Sequence, residues 1–333
     1  MSSARVVIGA PTYNHAGEAR EAFESLLGQT FRDFAIVVVD DGSDDGTDEI
    51  ARRLAAQDSR LTVHRNERRL GMIGNWRRAF GQAIGAHPGA EYFAWASDHD
   101  LWHPRWLSVL AAELDGHPSA VLAYPLNTKV QADGSPVDRK PWHFDTAGVK
   151  GHSTRLRRTG WNMSAGNMVY GLFRVDPLRR AGVFRRVLVP DRLLLMELTL
   201  MGQFRQVKQI LWFRRWYGRV FSLKRQRAAF FPDGRPLYAY LPWWLSHTAA
   251  FGWNLAVKGS ARPQVGRLAA IGLTWQYFWM AIAIHVTQQS RGVRLSLVER
   301  WPALRGTRRR LRMALWPWGA DAKAVRRKAK QAQ

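Results

Sequence analysis

A short apolar run that stops at clustered acids is the feature that most constrains the fold of this chain. Residues 92–96 (YFAWA) are followed directly by residues 97–100 (SDHD). An apolar run of this length is typical of a buried strand, and the acids then mark its carboxyl end. Residues 34–39 (FAIVVV) repeat the pattern and end in two more acids at positions 40–41. The pair of runs predicts a sheet with carboxylates gathered along one edge.

The residues between these runs have the spacing of helices. Residues 16–29 place apolar side chains on one helical face, and residues 71–84 read as another helix. Alternating strands and helices with short connections predict an α/β, Rossmann-like, doubly wound and mainly parallel sheet. Parallel strands end at one edge of such a sheet, which is where open α/β sheets bind ligands. The predicted strands cover residues 5–10, 34–39, 61–64, 92–96, 121–124 and 207–213.

Missing motifs exclude several classes of nucleotide-binding enzyme. No Gly-x-Gly-x-x-Gly follows the first strand and no Gly-Lys-Ser/Thr loop is present, which argues against a dinucleotide dehydrogenase and a P-loop enzyme. The chain has no cysteine, which excludes disulfides and thiolate metal sites. A bound nucleotide therefore has to be held by carboxylates, a metal and a tyrosine ring. Asp98 and Asp100 can share a divalent cation on a diphosphate, and the alternative is an ordinary acidic turn.

The net charge of +24 is concentrated in the C-terminal part of the chain. After Glu197 the only acids are Asp233, Glu299 and Asp321, whereas Lys and Arg are dense. Such a basic face predicts an anionic partner, which is a lipid headgroup, an acidic polymer or nucleic acid. The N-terminus runs into an apolar strand without a signal-peptide pattern, so a cytoplasmic location is expected.

Four groups of residues in the first third of the chain recur in the order of a known family. They are residues 11–14 (PTYN), residues 40–43 (DDGS), the set Asn66, Gly71 and Asn75, and residues 98–100 (DHD). This combination resembles the bacterial family 2 glycosyltransferases of the GT-A fold. The Asp-Asp-Gly-Ser block followed by Asp-x-Asp is specific, whereas either block alone is a weak signal.

The resemblance implies roles for individual residues. Thr12, Tyr13 and Asp41 would hold the nucleotide base, while Asp98 and Asp100 would contact the ribose and a divalent ion, Mg²⁺ or Mn²⁺, on the diphosphate. The alternative for Tyr13 is an aromatic packed at a strand end. His99 is expected to point away from both acids, because side chains alternate along an extended segment. The nucleotide-sugar contacts implied in full are Thr12, Tyr13, Asn14, Asp41, Gly71, Asn75 and Asp98.

Asp191 is the residue that the resemblance marks as the catalytic base. It precedes an apolar helix predicted over residues 193–201, where the family places a base carboxylate. A carboxylate there can take the proton of the acceptor hydroxyl as that oxygen attacks the sugar. The alternative, of similar weight and compatible with the first, is that Asp191 only caps the helix. Glu197 is the second choice of base, although it lies inside the helix.

The segment between Asp100 and the basic C-terminal part of the chain is expected to contact the acceptor. Residues 138–152 are polar and are predicted to form a mobile loop over the site. The resemblance implies that residues 159–174 contact the acceptor sugar. The alternative for residues 159–174 is a strand bent at glycine. Processive relatives carry Gln-x-x-Arg-Trp, whereas Arg215 and Trp216 lack that Gln. We therefore expect transfer of one or few sugars. Arg214 and Arg215 either touch the diphosphate or lie in solvent.

Two uncharged aromatic-rich stretches follow, at residues 236–257 and 268–290. Both approach the ~20 residues of a membrane span, but polar residues interrupt them. We predict helices lying in the bilayer interface, with basic flanks on anionic headgroups; a membrane hairpin and a helical extension of the core are the alternatives. The predicted domains are a catalytic domain over residues 1–220, with a nucleotide-sugar half (1–130) and an acceptor half (131–220), and a helical, basic, Trp-rich extension over residues 221–333.

The resemblance thus implies a metal-dependent, inverting transferase that moves a sugar from a nucleoside-diphosphate sugar to a lipid-linked or polysaccharide acceptor. UDP or dTDP donors are favoured, and the enzyme is expected on the cytoplasmic face of the cell membrane, without nucleic acid. A nucleic-acid- or membrane-binding protein with a non-catalytic GT-A domain is the alternative from another class. A nucleotidyltransferase is disfavoured, because the first loop is not rich in Gly, Arg and Lys.

Overall fold

A computed structural model describes residues 3–131, 135–137, 142–216, 223–234, 236–259 and 265–300. The chain divides into two compact units, Met1–Ala281 and Ile282–Gln333, and each is described by itself. The boundary predicted at residue 220 falls outside the described residues and stays a prediction. The basic segment after residue 300 also lies outside them.

Within the described residues, eight strands form one mixed sheet in the order β3-β2-β1-β4-β7-β6-β8-β5. Strands β1 to β4 are parallel to one another, and β8 is parallel to β6. Strand β7 is antiparallel to both β4 and β6, and β5 is antiparallel to β8. The strands are β1 Val6–Thr12, β2 Phe34–Asp40, β3 Leu61–Arg65, β4 Tyr92–Trp95, β5 Leu101–Trp102, β6 Ala120–Val130, β7 Leu172–Arg174 and β8 Gln203–Arg215.

Helices cover the sheet and follow most of its strands. The first four follow β1, β2, β3 and β5, as the predicted alternation requires. The helices are α1 Ala16–Leu27, α2 Thr47–Ala55, α3 Gly71–Ala86, α4 Trp106–Asp115, α5 His152–Asn162, α6 Ala165–Met168, α7 Val175–Ala181, α8 Pro190–Met201, α9 Leu223–Phe230, α10 Trp243–Gly252 and α11 Arg267–Arg300, with a 3-10 turn at Leu237–Tyr240 and a π-helical turn at Trp253–Lys258.

The core explains why the central strands are apolar without interruption. Every residue of β1 and β2 is buried, because helices pack against both faces of this part of the sheet. Phe23 and Leu26 of α1 and Leu110 of α4 belong to the cluster that covers one face. The predicted α/β, mainly parallel architecture is confirmed.

Strand and helix ends position the polar residues of interest. Strands β1, β2 and β4 end at Thr12, Asp40 and Trp95, so their following loops meet at one edge of the sheet. On the other side of the chain's midpoint, helix α8 begins at Pro190 and carries Asp191 in its first turn. The site is therefore assembled from strand ends and one helix start, which are rigid supports.

Candidate active site

Asp98 is the centre of a buried hydrogen-bond network at the end of β4. One carboxylate oxygen accepts the Thr12 hydroxyl at 2.6 Å and the Tyr13 backbone N–H at 3.3 Å. The other oxygen lies 2.7 Å from Nδ1 of His99. Burial alone would raise the pKa of Asp98, but the contact with His99, its charge and that of His15 hold the pKa below its usual range. Asp98 is therefore an anion at neutral pH, and it joins the ends of β1 and β4.

The prediction that His99 points away from the acids is wrong. Its Nδ1 contacts Asp98, and its Nε2 lies 4.0 Å from Asp100. Residues 98–100 form a bend rather than an extended strand, so the alternation of side chains does not apply to them. Burial lowers the pKa of His99, but its contact with Asp98 and the charges of Asp100, Asp98 and Glu18 raise it overall. The imidazole thus lies between the two carboxylates.

Asp100 is held from strand β8. The indole Nε1 of Trp212 donates to one carboxylate oxygen at 2.9 Å, and the Arg215 backbone N–H donates to the other at 2.9 Å. Arg215 also donates through its guanidinium to the His99 carbonyl at 3.1 Å and pairs with Glu21 of α1. The sequence reasoning missed this role of Trp212. The available signal was its position, because Trp212 stands where the processive motif has its Gln.

Asp41 organises a second cluster beside the first. Its carboxylate accepts the Asn66 amide at 2.9 Å and the backbone N–H groups of Leu70 and Gly71 at 2.7 and 2.8 Å. Its own N–H donates to the Thr12 carbonyl at 2.9 Å, which connects it to the Asp98 network. Burial is the main cause that raises the pKa of Asp41, and these hydrogen bonds oppose it.

Asn75 joins the same cluster from helix α3. Its side-chain amide donates to the carbonyls of Val39 and Thr12 at 2.9 and 3.3 Å, and its oxygen accepts from Asn66 at 3.0 Å. Asn75 therefore ties the ends of β1 and β2 together. The structure brings Thr12, Asp41, Gly71 and Asn75 close, as the sequence implied, and their contacts to a nucleotide stay predictions.

Tyr13 and Asn14 line the outer side of this edge. The Arg69 guanidinium lies over the Tyr13 ring at 4.0 Å from its centroid, so one face of the ring is already covered. Asn14 adopts a left-handed backbone conformation with φ of 54°, and its amide exchanges hydrogen bonds with Asp44. An open groove of about 490 Å³ borders Arg69 and is lined further by Phe231, Pro232 and Tyr240. This groove lies on the Tyr13 side and not at the acids of residues 98–100.

Three side chains among the described residues could hold a metal ion together. His15, Asp98 and His99 each offer a ligand atom, and these atoms all lie within 4.8 Å of one another. The His15 and His99 rings are stacked with centroids 4.6 Å apart. One carboxylate and two imidazoles form a donor set that fits a divalent cation. Asp100, expected as a ligand, lies next to this group; its ligand role stays a prediction.

Asp191 lies in the first turn of α8, and the structure places the helix N-cap elsewhere. Val189 is the N-cap, with a left-handed φ of 52°, so the N-cap interpretation of Asp191 is wrong. One Asp191 oxygen accepts the Arg192 N–H at 2.8 Å. Burial raises the pKa of Asp191, with the Arg192 N–H opposing it. A Cβ built on Gly166 would lie 4.0 Å from the other oxygen, so Gly166 leaves space before the carboxylate.

Residues far downstream hold the turn that precedes Asp191. Nε2 of the buried His247 lies 2.5 Å from the Leu188 carbonyl, and its Nδ1 lies 3.0 Å from the Tyr277 hydroxyl. Burial lowers the pKa of His247 to about 4, so the ring is neutral and donates from Nε2 to that carbonyl. The α10 and α11 helices thereby position the start of α8.

Glu197, the second choice of base, is sealed inside the structure. It is 1% exposed, and it pairs with Arg185 at 3.0 Å and accepts the Asn254 amide at 3.1 Å. These buried contacts anchor α8. Asp191 is the less buried of the two acids of α8.

Tyr170 lies beside the residues that hold the acids after β4. Burial raises the pKa of Tyr170, and the charges of Asp100, Asp98 and Asp191 raise it further. Its ring packs against Trp212 with centroids 4.7 Å apart. Trp212 in turn holds Asp100, and Gly166, four residues before Tyr170, borders Asp191. Such an arrangement offers cation-binding acids and a separate proton acceptor.

Comparison with known proteins identifies related chains. A family model described as glycosyl transferase family 2 matches residues 7–182. The chain is 37% identical over 95 residues to an uncharacterized glycosyltransferase of Rickettsia typhi, covering 28% of this chain and 27% of that protein. It is 40% identical over 82 residues to glycosyltransferase AglD of Haloferax volcanii, covering 22% and 13%. The matches thus span about a quarter or less of these relatives.

Solved structures show the same fold at low sequence identity. TarS of S. aureus superposes with a TM-score of 0.56 at 16% identity, covering 84% of this chain and 72% of that chain. The TarS complex with UDP-GlcNAc matches equally, with a TM-score of 0.56 at 16% identity over 84% of this chain and 73% of that chain. This likeness bears on the fold alone, and it agrees with the mixed, mainly parallel sheet described above.

Proposed function

Because the chain belongs to glycosyl transferase family 2, we propose that it moves a sugar from a nucleoside-diphosphate sugar to a hydroxyl group of a glycan or lipid-linked acceptor. The observation that carries this proposal is a set of three carboxylates, with Asp98 and Asp100 held after β4 by Thr12 and Trp212 and Asp191 in the first turn of α8. The first two acids suit the cation on a diphosphate, and the third suits a proton acceptor on the opposite side of the transferred sugar.

The donor would occupy the edge formed by β1, β2 and β4. Asp41 offers a hydrogen-bond acceptor for the base, and the Tyr13 ring offers an aromatic face. The Arg69 guanidinium covers that face of the ring, so the base would share the face with Arg69 or displace it. Asp98, tied to Thr12, lies where the ribose and diphosphate would follow. A uridine or thymidine donor is favoured, and the solved TarS complex with UDP-GlcNAc supports a uridine nucleotide in a related fold.

Asp98 and Asp100, with the imidazoles beside them, are the residues that would hold Mg²⁺ or Mn²⁺. Such an ion supplies positive charge for the diphosphate that leaves. Asp98 is kept ionised by its contacts with His99 and Thr12, which suits it to this role. Arg215 lies beside the same acids, and its guanidinium is directed at the His99 carbonyl and Glu21, so it supports the acid loop from β8.

Asp191 would act as the general base. As the acceptor oxygen attacks the anomeric carbon, its proton passes to the free Asp191 oxygen, and the bond from that carbon to the diphosphate breaks. The raised pKa of Asp191, caused by burial, makes it a better proton acceptor than an exposed aspartate. The space next to Gly166 gives a hydroxyl access to it. Attack from the side opposite the diphosphate would invert the sugar.

The first unit also presents a surface suited to a membrane. Leu268, Trp275 and Trp279 of α11 are 86, 58 and 63% exposed. Among the described residues, one stretch, Arg267–Gln289, is by length and composition able to cross a membrane, and 33% of it is buried. Exposed Trp and a strongly basic chain support a peripheral position on an anionic inner membrane face, where a lipid-linked acceptor would be met.

The test is a donor panel read by release of nucleoside diphosphate. UDP-, dTDP- and GDP-sugars are supplied with Mn²⁺ or Mg²⁺ and a lipid-linked or polysaccharide acceptor, and EDTA is added to matched samples. We expect turnover with a uridine or thymidine donor and its loss with EDTA. Asp191→Asn should lower kcat by about a hundredfold or more while donor Kd stays within about threefold.

Asp176→Asn is the matched control for that variant. Asp176 is an exposed acid of α7 that pairs with Arg180, so its loss should leave turnover unchanged. Normal turnover by Asp191→Asn would refute the base assignment. Failure of every donor, with a folded protein, would instead favour the non-catalytic binding protein.

A further inference from the structure

We propose that His15 and His99, together with Asp98, form a cation site that selects a first-row transition metal over Mg²⁺. This inference deepens the proposed function, because the ion would be the one that accompanies the nucleotide sugar. Its basis is the donor set itself. Ligand atoms of these three residues lie within 4.8 Å of one another, which a single ion can bridge.

The two imidazoles decide which ion fits. Mg²⁺ requires oxygen ligands and retains water molecules, whereas imidazole nitrogen suits the transition metals. Affinity of such sites for divalent metals rises from Mn²⁺ through Fe²⁺, Co²⁺ and Ni²⁺. A set with two nitrogens and one carboxylate therefore binds Mn²⁺ more tightly than Mg²⁺, and Co²⁺ more tightly than Mn²⁺.

The site is held in place before any ion binds. The backbone N–H of His15 donates to the Thr47 hydroxyl at 2.9 Å, and its carbonyl begins helix α1 by accepting from Ala19 at 2.9 Å. The His99 carbonyl accepts from Arg215 at 3.1 Å. Both histidines thus stand on fixed backbone at the ends of β1 and β4. Fixed ligands favour binding because little order has to be gained.

An ion can also reach these ligands from solvent. The side chains of His15 and His99 are 34 and 28% exposed, whereas that of Asp98 is 6% exposed. Glu18 lies 3.7 Å from the His15 ring and adds a negative charge at the mouth. The imidazoles therefore form the open side of the site and the buried carboxylate its floor.

The experiment measures the metal directly, in the full chain and without any sugar. Mn²⁺ is titrated by the loss of its free-ion electron paramagnetic resonance signal, with Mg²⁺ and Co²⁺ as competitors. Bound Mn²⁺ is then examined by pulsed spectroscopy for coupling to ¹⁴N. We expect nitrogen coupling in the wild-type protein, displacement by Co²⁺, and Mg²⁺ competing at least about tenfold more weakly.

Substitutions identify the source of the nitrogen. His15→Asn and His99→Asn should each weaken Mn²⁺ binding by about tenfold or more and change Mg²⁺ binding by less than about threefold. His117→Asn is the matched control, because His117 also lies beside an acid, Glu113, but away from this site. Its Mn²⁺ affinity should equal that of the wild-type protein. Circular dichroism checks that each variant is folded.

Several results would overturn the inference. They are absence of nitrogen coupling in the wild-type protein, equal affinity for Mg²⁺ and Mn²⁺, or unchanged Mn²⁺ binding in both variants. These outcomes are separate from the proposed function. Sugar transfer with Mg²⁺ and no nitrogen coupling would reject the imidazole site only, whereas nitrogen coupling without turnover of any donor would reject the transferase only.

Discussion

Gly71 occupies a backbone position that other residues adopt only with strain. Its φ is +73°, its N–H donates to Asp41 at 2.8 Å, and a Cβ there would lie 2.5 Å from the Pro232 ring. Left-handed backbone costs other residues about 1–2 kcal/mol, and the clash with Pro232 adds to that. The glycine is therefore needed at the start of α3, where the backbone donates to Asp41.

We predict that Gly71→Ala lowers the free energy of unfolding by at least about 2 kcal/mol and weakens UDP binding. Urea unfolding and calorimetric titration with UDP measure the two effects. Gly81→Ala in the same helix is the control, because nothing lies within 4 Å of a Cβ there. That change should be neutral or stabilise by up to about 1 kcal/mol. Equal effects of the two substitutions would contradict the role given to Gly71.

Single residues show where sequence reasoning succeeds and where it stops. The positions of Thr12, Asp41 and Asp98 follow from apolar runs that end in polar residues, since parallel strands end together. The orientation of His99 depended on a bend that no pattern announces. Trp212 reaches Asp100 across 112 positions of chain, and a hydrogen bond of that sequence separation has no signature along the sequence.

Among the elements, helix α11 has apolar residues on more than one face. Ala270, Leu273 and Tyr277 are buried in the first unit, and Tyr277 packs on Phe251 of α10. Trp275 and Trp279, at a spacing of four residues, remain more than half exposed. A helix of this kind can pack on a protein with one face and enter a lipid interface with another.

We predict that Trp275→Ser combined with Trp279→Ser weakens binding to anionic vesicles by about tenfold or more. Burial of one aromatic ring in the lipid interface contributes about 1.5–3 kcal/mol to the binding free energy, so its loss weakens vesicle affinity by at least about tenfold. Co-sedimentation with phosphatidylglycerol vesicles after nuclease treatment measures the effect. Trp161→Ser, which removes an exposed Trp of α5, is the control. Wild-type binding by the double variant, or binding lost with nuclease, would reject the membrane surface.

The helices and strands differ in how clearly their sequence pattern predicts them. Long strands such as β1 and β2 were predicted to within one or two residues, because buried parallel strands are continuously apolar. The short strands β5 and β7, of two and three residues, carry no periodic signal; β5 was not predicted, and β7 falls where a strand was only the alternative. Strand β8 begins four residues before its predicted start of 207, because its first residues include the polar Gln203 and Arg205.

Within the first unit, Glu197 is a buried charge that joins parts of the chain that are far apart in sequence. It lies in α8, pairs with Arg185 and accepts from Asn254. Burial raises its pKa from 4.5 to about 7, and Arg185 opposes the rise. The folded protein therefore holds more protons than the unfolded chain between pH 4.5 and 7. Stability from this group is present below pH 4.5 and is lost as pH rises through about 7.

We predict that Glu197→Gln removes a pH dependence of up to about 3 kcal/mol in the free energy of unfolding. Urea unfolding at pH 5 and pH 7.5 measures it as the difference between wild-type and variant. His247 acts in the opposite direction, because its lowered pKa lets the unfolded chain bind more protons than the folded protein between pH 4 and 6.5. Both proteins contain His247, so its contribution cancels in the difference between wild-type and variant stability. Glu24→Gln, at an exposed acid, is the control. Parallel pH profiles for wild-type protein and Glu197→Gln would contradict the assignment.

The overall α/β architecture was predictable because alternation and hydrophobic runs are properties of local sequence. The attachment of α10 and the π-helical turn to α8 was not, because it depends on the buried contacts of His247 and Asn254 with Leu188 and Glu197. Composition marked this part of the chain as basic and rich in Trp. It gave no indication that two of its polar residues are buried against the helix of Asp191.

The bond from His247 to the Leu188 carbonyl has a practical consequence for shortened forms of this protein. A fragment that stopped near residue 220 would retain Thr12, Asp41, Asp98 and Asp191 but would lose both downstream donors to the α8 region. Such a fragment would keep its nucleotide pocket while its base carboxylate was left on an unanchored turn. Tight nucleotide binding by such a fragment would then not show that its catalytic base is correctly positioned.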